Sequence, residues 1–261
     1  MGRRRAARFC RTGVDALLAA LLAPRCVVCA APLDAPLDGP VCALCWRRVR
    51  PPAPPLCRTC GDPLPSWRII SAALEHCPRC RRAPGAVSAA RSAGEYDGAL
   101  RAIMHAFKYE RRRGLARPLA ALMREAGRDV LRDADCVVPI PLHPWRRLRR
   151  GFNQADDLAR QLGPPVVRLL WRTAQTPAQT GLPAAARRRN VRDAFRLSPL
   201  LTRAARDRWL GDCVVVLVDD VRTTGATLDA CATVLRRAGA REVRALTAAS
   251  AILRATSGRS A

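Results

Sequence analysis

The residues best placed to do chemistry lie between Cys213 and Cys231. Val214, Val215, Val216, Leu217 and Val218 form an uninterrupted apolar run. That pattern predicts a strand buried on both faces, as in a parallel sheet. Asp219 and Asp220 stand where the strand ends. Arg222, Thr223, Thr224, Gly225, Ala226 and Thr227 follow, and residues 228–237 carry a helical pattern. In open α/β sheets ligands bind at the carboxyl ends of the strands. A helix that starts there offers unpaired backbone N–H groups and the positive end of its dipole to an anion. Gly225 lets a ligand approach the backbone closely, and the threonine hydroxyls add hydrogen bonds to phosphate oxygens. Residues 222–227 are therefore the expected phosphate-binding set. Two adjacent carboxylates repel a phosphate, so Asp219 and Asp220 are expected to face ribose hydroxyls, or a Mg²⁺ holding them, as the catalytic pair. Read blandly, the threonines are a helix cap and the acids are loop charges. A cap alone has no use for two acids, two threonines and a glycine in this order.

A second group of residues is built for metal. Cys26, Cys29, Cys42, Cys45, Cys57, Cys60, Cys77 and Cys80 form four Cys-x-x-Cys pairs. Twelve residues separate the first two pairs and sixteen separate the last two. This is zinc-ligand spacing rather than a disulfide framework, and it argues for a reducing cytoplasm. Each quartet offers four thiolates, enough for one closed tetrahedral Zn²⁺ site of structural kind. Sequential and interleaved pairing are both compatible with the spacing. Little else in residues 26–83 could build a core, so metal is expected to carry the folding there. His76 sits beside Cys77 but is not needed as a ligand. Cys136, Cys213 and Cys231 fall in apolar segments and read as buried small hydrophobes.

The elements that must position these groups follow from pattern. The 261 residues suffice for one large or two smaller domains. Net charge is +25, carried almost wholly by arginine, which favours phosphorylated or polyanionic partners. Residues 1–25 open with arginines and continue as a short apolar run interrupted by Asp15. They read as an apolar helix packed on the body of the protein rather than a signal peptide, and the run is too short to span a bilayer. Leu100, Ile103, Met104 and Phe107 predict a helix over 99–111. Another is expected over 115–131, a strand over 137–141 and a helix over 153–161. Residues 203–209 read as a polar linker. A strand is expected over 242–246. Strands alternating with helices through 136–250 signal a parallel α/β sheet.

Two basic segments join the candidate site. Arg146, Arg147, Arg149 and Arg150 follow the strand that ends near Pro141, and guanidinium forks there suit a pyrophosphate. Arg187, Arg188, Arg189 and Asn190 lie in a long polar connection, 172–193, of the length used for lids.

The stretch from Asp219 to Thr227 closely resembles the signature of the type I phosphoribosyltransferases, which bind phosphoribosyl pyrophosphate (PRPP). With the four cysteine pairs, Phe107-Lys108-Tyr109, Pro139-Ile140-Pro141-Leu142-His143, Arg150-Gly151-Phe152-Asn153-Gln154, Thr176 to Leu182, and Arg188-Arg189-Asn190-Val191, nearly the whole chain resembles the ComF family. The resemblance implies a double zinc ribbon (26–83) and a phosphoribosyltransferase domain of α/β class with a mainly parallel sheet (84–254); the residue pattern adds an N-terminal apolar helix (1–25) and a disordered tail (255–261). The resemblance also implies PRPP and Mg²⁺ as ligands, and an association with single-stranded DNA uptake in natural transformation, with other DNA-uptake proteins as partners. Two functions are then in play. One is a PRPP-dependent transferase whose acceptor the sequence does not name. The other is a non-catalytic DNA-binding competence factor that keeps the fold as scaffold or nucleotide sensor.

Overall fold

A computed structural model describes residues 2–64, 75–143, 148, 150–173 and 194–251, with residues 2–11 as backbone. The chain divides into two compact units. The first gathers residues 1–50 and 97–115, the second residues 51–96 and 116–261.

In the first unit, helix α1 spans Gly2–Leu22, and a short helix α2 spans Ala43–Arg47. Asp15, the acid that interrupts the apolar run, is buried, and its carboxylate accepts a hydrogen bond of 2.8 Å from the Leu37 amide. It fastens α1 to the 3₁₀ turn Pro36–Asp38. The opposite side of α1 is not covered: Val14, Leu17, Leu21 and Leu22 are exposed. The apolar run therefore rests on Asp15 and the half-buried Leu18 and Ala19 rather than disappearing into a core. Helix α4, Gly98–Tyr109, starts at Asp97, whose side chain accepts from the Gly98 amide. Its stripe Leu100, Ile103, Met104 and Phe107 is buried as the periodicity predicts.

The second unit holds α3 (Pro78–Arg82), β1 (Ala90–Glu95), α5 (Ala116–Ala126), α6 (Arg128–Leu131), β2 (Cys136–Pro139), α7 (Gln154–Ala159), β3 (Leu170–Arg172), β4 (Phe195–Leu197), α8 (Arg203–Leu210), β5 (Val214–Arg222), α9 (Ala226–Arg237) and β6 (Glu242–Ser250). Strands β1, β6, β5 and β2 form a parallel sheet in that order, while β3 and β4 pair antiparallel apart from it. The Val-rich β5 sits inside the sheet with Val214 to Val218 fully buried, which is why it needs no polar alternation. Its core partners include Cys136, Val138, Leu228, Cys231, Leu235 and Val243. Burial pushes the Cys136 thiol up to about 12 and the Cys231 thiol well above its ordinary value, so both act as small apolar side chains. Cys213 is only half-buried, contrary to expectation.

Three local outcomes differ from the pattern. The helix expected over 115–131 breaks at Gly127, where a Cβ would come within 2.5 Å of the Leu246 side chain. The segment read as a polar linker is helix α8: Thr202 caps it by accepting from the Ala205 amide at 3.2 Å. Both β5 and β6 run about four residues past their apolar stretches. In β6 the extension buries Thr247, which hydrogen-bonds Ser92 of β1 at 2.7 Å.

At the start of β6, Glu242 accepts from Arg244 through Nε and Nη2, both at 2.8 Å, and from the Ser88 hydroxyl at 2.7 Å. The Arg244 hydrogen bonds, outweighing burial, hold its carboxyl down at about 2. A depressed native value stabilises the fold above the ordinary value of 4.5, and that stability is lost as pH falls towards 2. Glu242→Gln should therefore lower stability at pH 7 and flatten its fall between these two pH values. Denaturant titrations of parent and variant at pH 7 and pH 3 measure the difference.

Candidate functional site

The site is assembled at the carboxyl end of β5. Strand β2 stops alongside it: Pro139 is in register with Val218, and the Ile140 amide donates to the Val218 carbonyl at 2.9 Å. Past this point the β2 chain departs, leaving Asp219 and Asp220 at the edge it vacates. Both acids are half-buried, and the Asp220 amide donates to the Asp219 carboxylate at 2.8 Å. The loop that follows β2 leaves from the same end. Asn153 returns to it, its side-chain amide donating to the Ile140 carbonyl at 3.0 Å while its oxygen caps α7. Arg150 is held over this cap by Gln154, whose Oε1 accepts at 3.3 Å. One arginine of the expected pyrophosphate loop thus lies on the loop leaving this sheet edge. Arg146, Arg147 and Arg149, and the lid residues Arg187, Arg188, Arg189 and Asn190, lie outside the described residues, as does the 255–261 tail.

Between β5 and α9 the chain turns through Thr223, Thr224 and Gly225. Gly225 adopts a left-handed φ of +80° and stands at the N-cap position of α9, where no side chain caps the helix. The Thr224 hydroxyl accepts from the Ala226 amide at 3.4 Å. A Cβ on Gly225 would meet nothing within 4 Å, so this face of the turn is open. Thr223 is exposed, and Thr224, Gly225, Ala226 and Thr227 are half-buried. Asp229 in the first turn of α9 is engaged away from this face, accepting from the Ala86 amide at 2.6 Å. A cavity of about 550 Å³ among Leu201, Arg203, Arg206 and Asp207 lies instead on the side where β5 begins.

Arg222 departs from the expected phosphate set. Its side chain is 3% exposed, pairs with Asp62 and donates to the Ser250 hydroxyl at 2.6 Å. It is the last residue of β5 and ties the strand to its surroundings instead of presenting charge to the open turn.

The cysteines resolve into two sequential tetrads, Cys26/Cys29/Cys42/Cys45 and Cys57/Cys60/Cys77/Cys80, in each of which all sulfurs lie within 4.8 Å of one another. The first lies in the first unit and the second in the second unit. Four sulfurs at about 2.3 Å around a tetrahedral Zn²⁺ lie about 3.8 Å apart. The Cys29–Cys42 and Cys60–Cys77 sulfurs are 3.8 and 3.7 Å apart. The donor set and its spacing fit a closed structural zinc site. In each tetrad one thiol is drawn below its ordinary value by hydrogen bonds from its neighbours. The Cys60 thiol and the amides of Cys60, Cys77 and Thr59, opposed by burial, hold Cys57 down at about 3. Burial raises Cys26, but amides of Cys42, Cys29 and Val28 outweigh it and bring it to about 6. Such thiolates are ready ligands. His76 takes no part in the tetrad; its Nδ1 meets the Thr59 hydroxyl at 3.0 Å.

The knuckles repeat one design. Arg25 pairs with Pro32 and Leu56 with Pro63 in matching antiparallel bridges. Ala30 and Gly61 occupy equivalent left-handed positions at φ +58° and +69°. Gly61 is required on a second ground, since a Cβ there would fall 2.4 Å from the Ala90 carbonyl. That contact seats the second knuckle at β1, where the Ala90 amide donates to the Thr59 carbonyl. From this seat two side chains reach the turn. Arg79, between Cys77 and Cys80, donates to the Thr224 carbonyl at 3.3 Å and to Asp62 at 3.2 Å; Asp62, two residues beyond Cys60, also takes Arg222. Sequence reasoning did not connect Asp62 or Arg79 with the site.

The second unit is of α/β class, with a mainly parallel sheet that delivers an acid pair into an open glycine turn, and each unit carries one cysteine knuckle of zinc-ribbon kind. Residues 17–83 match the Double zinc ribbon domain family. Over 84% of its length the chain is 31% identical to Competence protein F of Haemophilus influenzae, covering 94% of that protein. It is 33% identical to DNA utilization protein YhgH of Salmonella typhimurium and of Escherichia coli K12, covering 93% of each. The chain belongs to this competence protein F (ComF/YhgH) family. A solved structure titled as the allosteric regulatory enzyme of purine biosynthesis matches 51% of this chain and 26% of its own at 23% identity and a TM-score of 0.32, too slight a likeness to bear on the fold. No helix among the described residues is long and apolar enough to cross a membrane.

Proposed function

We propose that the chain binds PRPP with Mg²⁺ at the carboxyl end of β5 and serves DNA utilization, as the names of its relatives suggest. The observation that carries this reading is the acid pair set directly before an open, left-handed turn at a helix start. The amides of residues 224–227 and the hydroxyls of Thr223, Thr224 and Thr227 hold the 5′-phosphate. Asp219 and Asp220 accept from the ribose hydroxyls and orient C1 of the sugar. Arg150, with Arg146, Arg147 and Arg149 of the same loop and Arg187, Arg188, Arg189 and Asn190 of the lid, meets the pyrophosphate. Mg²⁺, when bound, neutralises the leaving pyrophosphate. Positioning and charge stabilisation are what such a displacement needs, more than a general base. Calorimetric titration of the chain with PRPP·Mg²⁺ should show saturable binding at one site. Absence of binding at millimolar ligand removes this reading.

A second reading, a single-strand DNA-binding factor in which the fold is a scaffold, is favoured by the net charge of +25. It predicts oligonucleotide binding that weakens steeply with salt. The two readings are compatible if PRPP gates DNA handling.

A further inference from the structure

We propose that the second cysteine tetrad sets the shape of the phosphate-binding turn through Arg79 and Asp62, so that zinc held by that tetrad and PRPP held by the turn strengthen each other. The inference rests on the PRPP reading given above and adds a coupling to it.

The geometry is a short chain of charged contacts. Arg79 sits on α3 between two tetrad cysteines, so its position is set by the fold around the sulfurs. One guanidinium nitrogen donates to the backbone carbonyl of Thr224 and the other to Asp62. Asp62 accepts in turn from Arg222, the residue immediately before the turn. The turn is thus held at Thr224 and at its Arg222 base. A tetrad of four thiolates around one Zn²⁺ is a net dianion, and Arg79 is the cation beside it. Losing the metal loosens Cys77 to Cys80 and removes that anion, so Arg79 loses its seat and one of its two counter-charges, the other being Asp62. The Thr224 carbonyl is then unheld, and the amides on the other side of the same peptides lose their aim at the phosphate. Arg79 is a positioning residue: it touches the turn's backbone from behind and leaves the open face of Gly225 free. Coupling of this kind is reciprocal by linkage.

The test uses the full zinc-loaded chain. In the parent, saturating PRPP·Mg²⁺ should slow zinc release to a chromogenic chelator about tenfold at one tetrad and leave the other unchanged. Arg79→Ala should bind PRPP about tenfold more weakly with its zinc content and circular dichroism unchanged, and PRPP should no longer slow zinc release. Arg79→Lys should recover part of both effects. Arg58→Ala, which removes an exposed ion pair with Glu75 in the same knuckle, should alter neither. Should Arg79→Ala not fold, the release measurement on the parent decides alone. Parental binding of PRPP with identical release rates in its presence and absence overturns the coupling and leaves the PRPP reading intact. Failure of the parent to bind PRPP overturns both.

Discussion

A chain carrying both Asp219→Asn and Asp220→Asn should fold as the parent does and bind PRPP·Mg²⁺ at least about a hundredfold more weakly. Each carboxylate is proposed to accept from a ribose hydroxyl or the associated cation, and a charged hydrogen bond contributes about 1.5–3 kcal/mol. Losing two amounts to about 3–6 kcal/mol, or roughly two to four powers of ten in affinity. The fold is indifferent for a separate reason. Both side chains lie beyond the buried run of β5, and an amide oxygen at position 219 still accepts from the backbone amide of residue 220. Calorimetry reads the affinity and thermal melting reads the fold. Affinity within about threefold of the parent would place the ligand elsewhere.

Removal of zinc is the second large effect expected. The purified chain should carry two zinc equivalents, one for each tetrad. Cys57→Ser with Cys60→Ser should leave one. Apparent structural zinc affinities correspond to about 10–16 kcal/mol, and in a knuckle with almost no apolar core that is folding free energy. Among the described residues, the hairpin bridges at Arg25–Pro32 and Leu56–Pro63 and a few buried residues such as Leu33 and Val41 supplement the metal. In the second tetrad the loss reaches further, because Asp62 is the partner of the buried Arg222, and breaking such a pair costs about 3–5 kcal/mol. The variant should melt at lower temperature and be cut by protease near residues 57–80. Unchanged protease resistance after chelation under reducing conditions would show that the ribbons stand without metal.

The parts of the fold that could be read from sequence are those whose cause is local. The Val run of β5, the i, i+3, i+4, i+7 stripe of α4 and the Cys-x-x-Cys spacings each report their own environment. The acid pair and the glycine turn were legible because a strand end and a helix start are both visible in composition. What stayed hidden depends on distant partners. Arg222 looks like a phosphate ligand beside Thr223, and only its ion pair with Asp62, 160 residues earlier, shows otherwise. The pairing of the tetrads is settled by hydrogen bonds between knuckles, from the Cys42 amide to the Cys26 sulfur and from the Cys77 amide to the Cys57 sulfur, which spacing does not encode. The glycine at the break, Gly127, answers to Leu246, whose side chain leaves no room for a Cβ there. Helix α8 did carry a legible sign in its Thr202 cap, but its polar sequence offered no stripe to match it.

The route of the backbone bears on how this polypeptide can be divided. It quits the first unit after Arg50 and re-enters at Asp97, where an Arg50–Asp97 ion pair closes the detour. The sequence modules meet near residue 83, but α4 belongs with the opening fifty residues and packs on α2. A truncated product beginning at residue 84 would carry Leu100, Ile103, Met104 and Phe107 without those companions, an oily helix prone to aggregate. Dissection by simple cleavage at the module border therefore yields an adhesive fragment; the backbone passes between the units three times, after residues 50, 96 and 115, so keeping the chain whole is the workable choice.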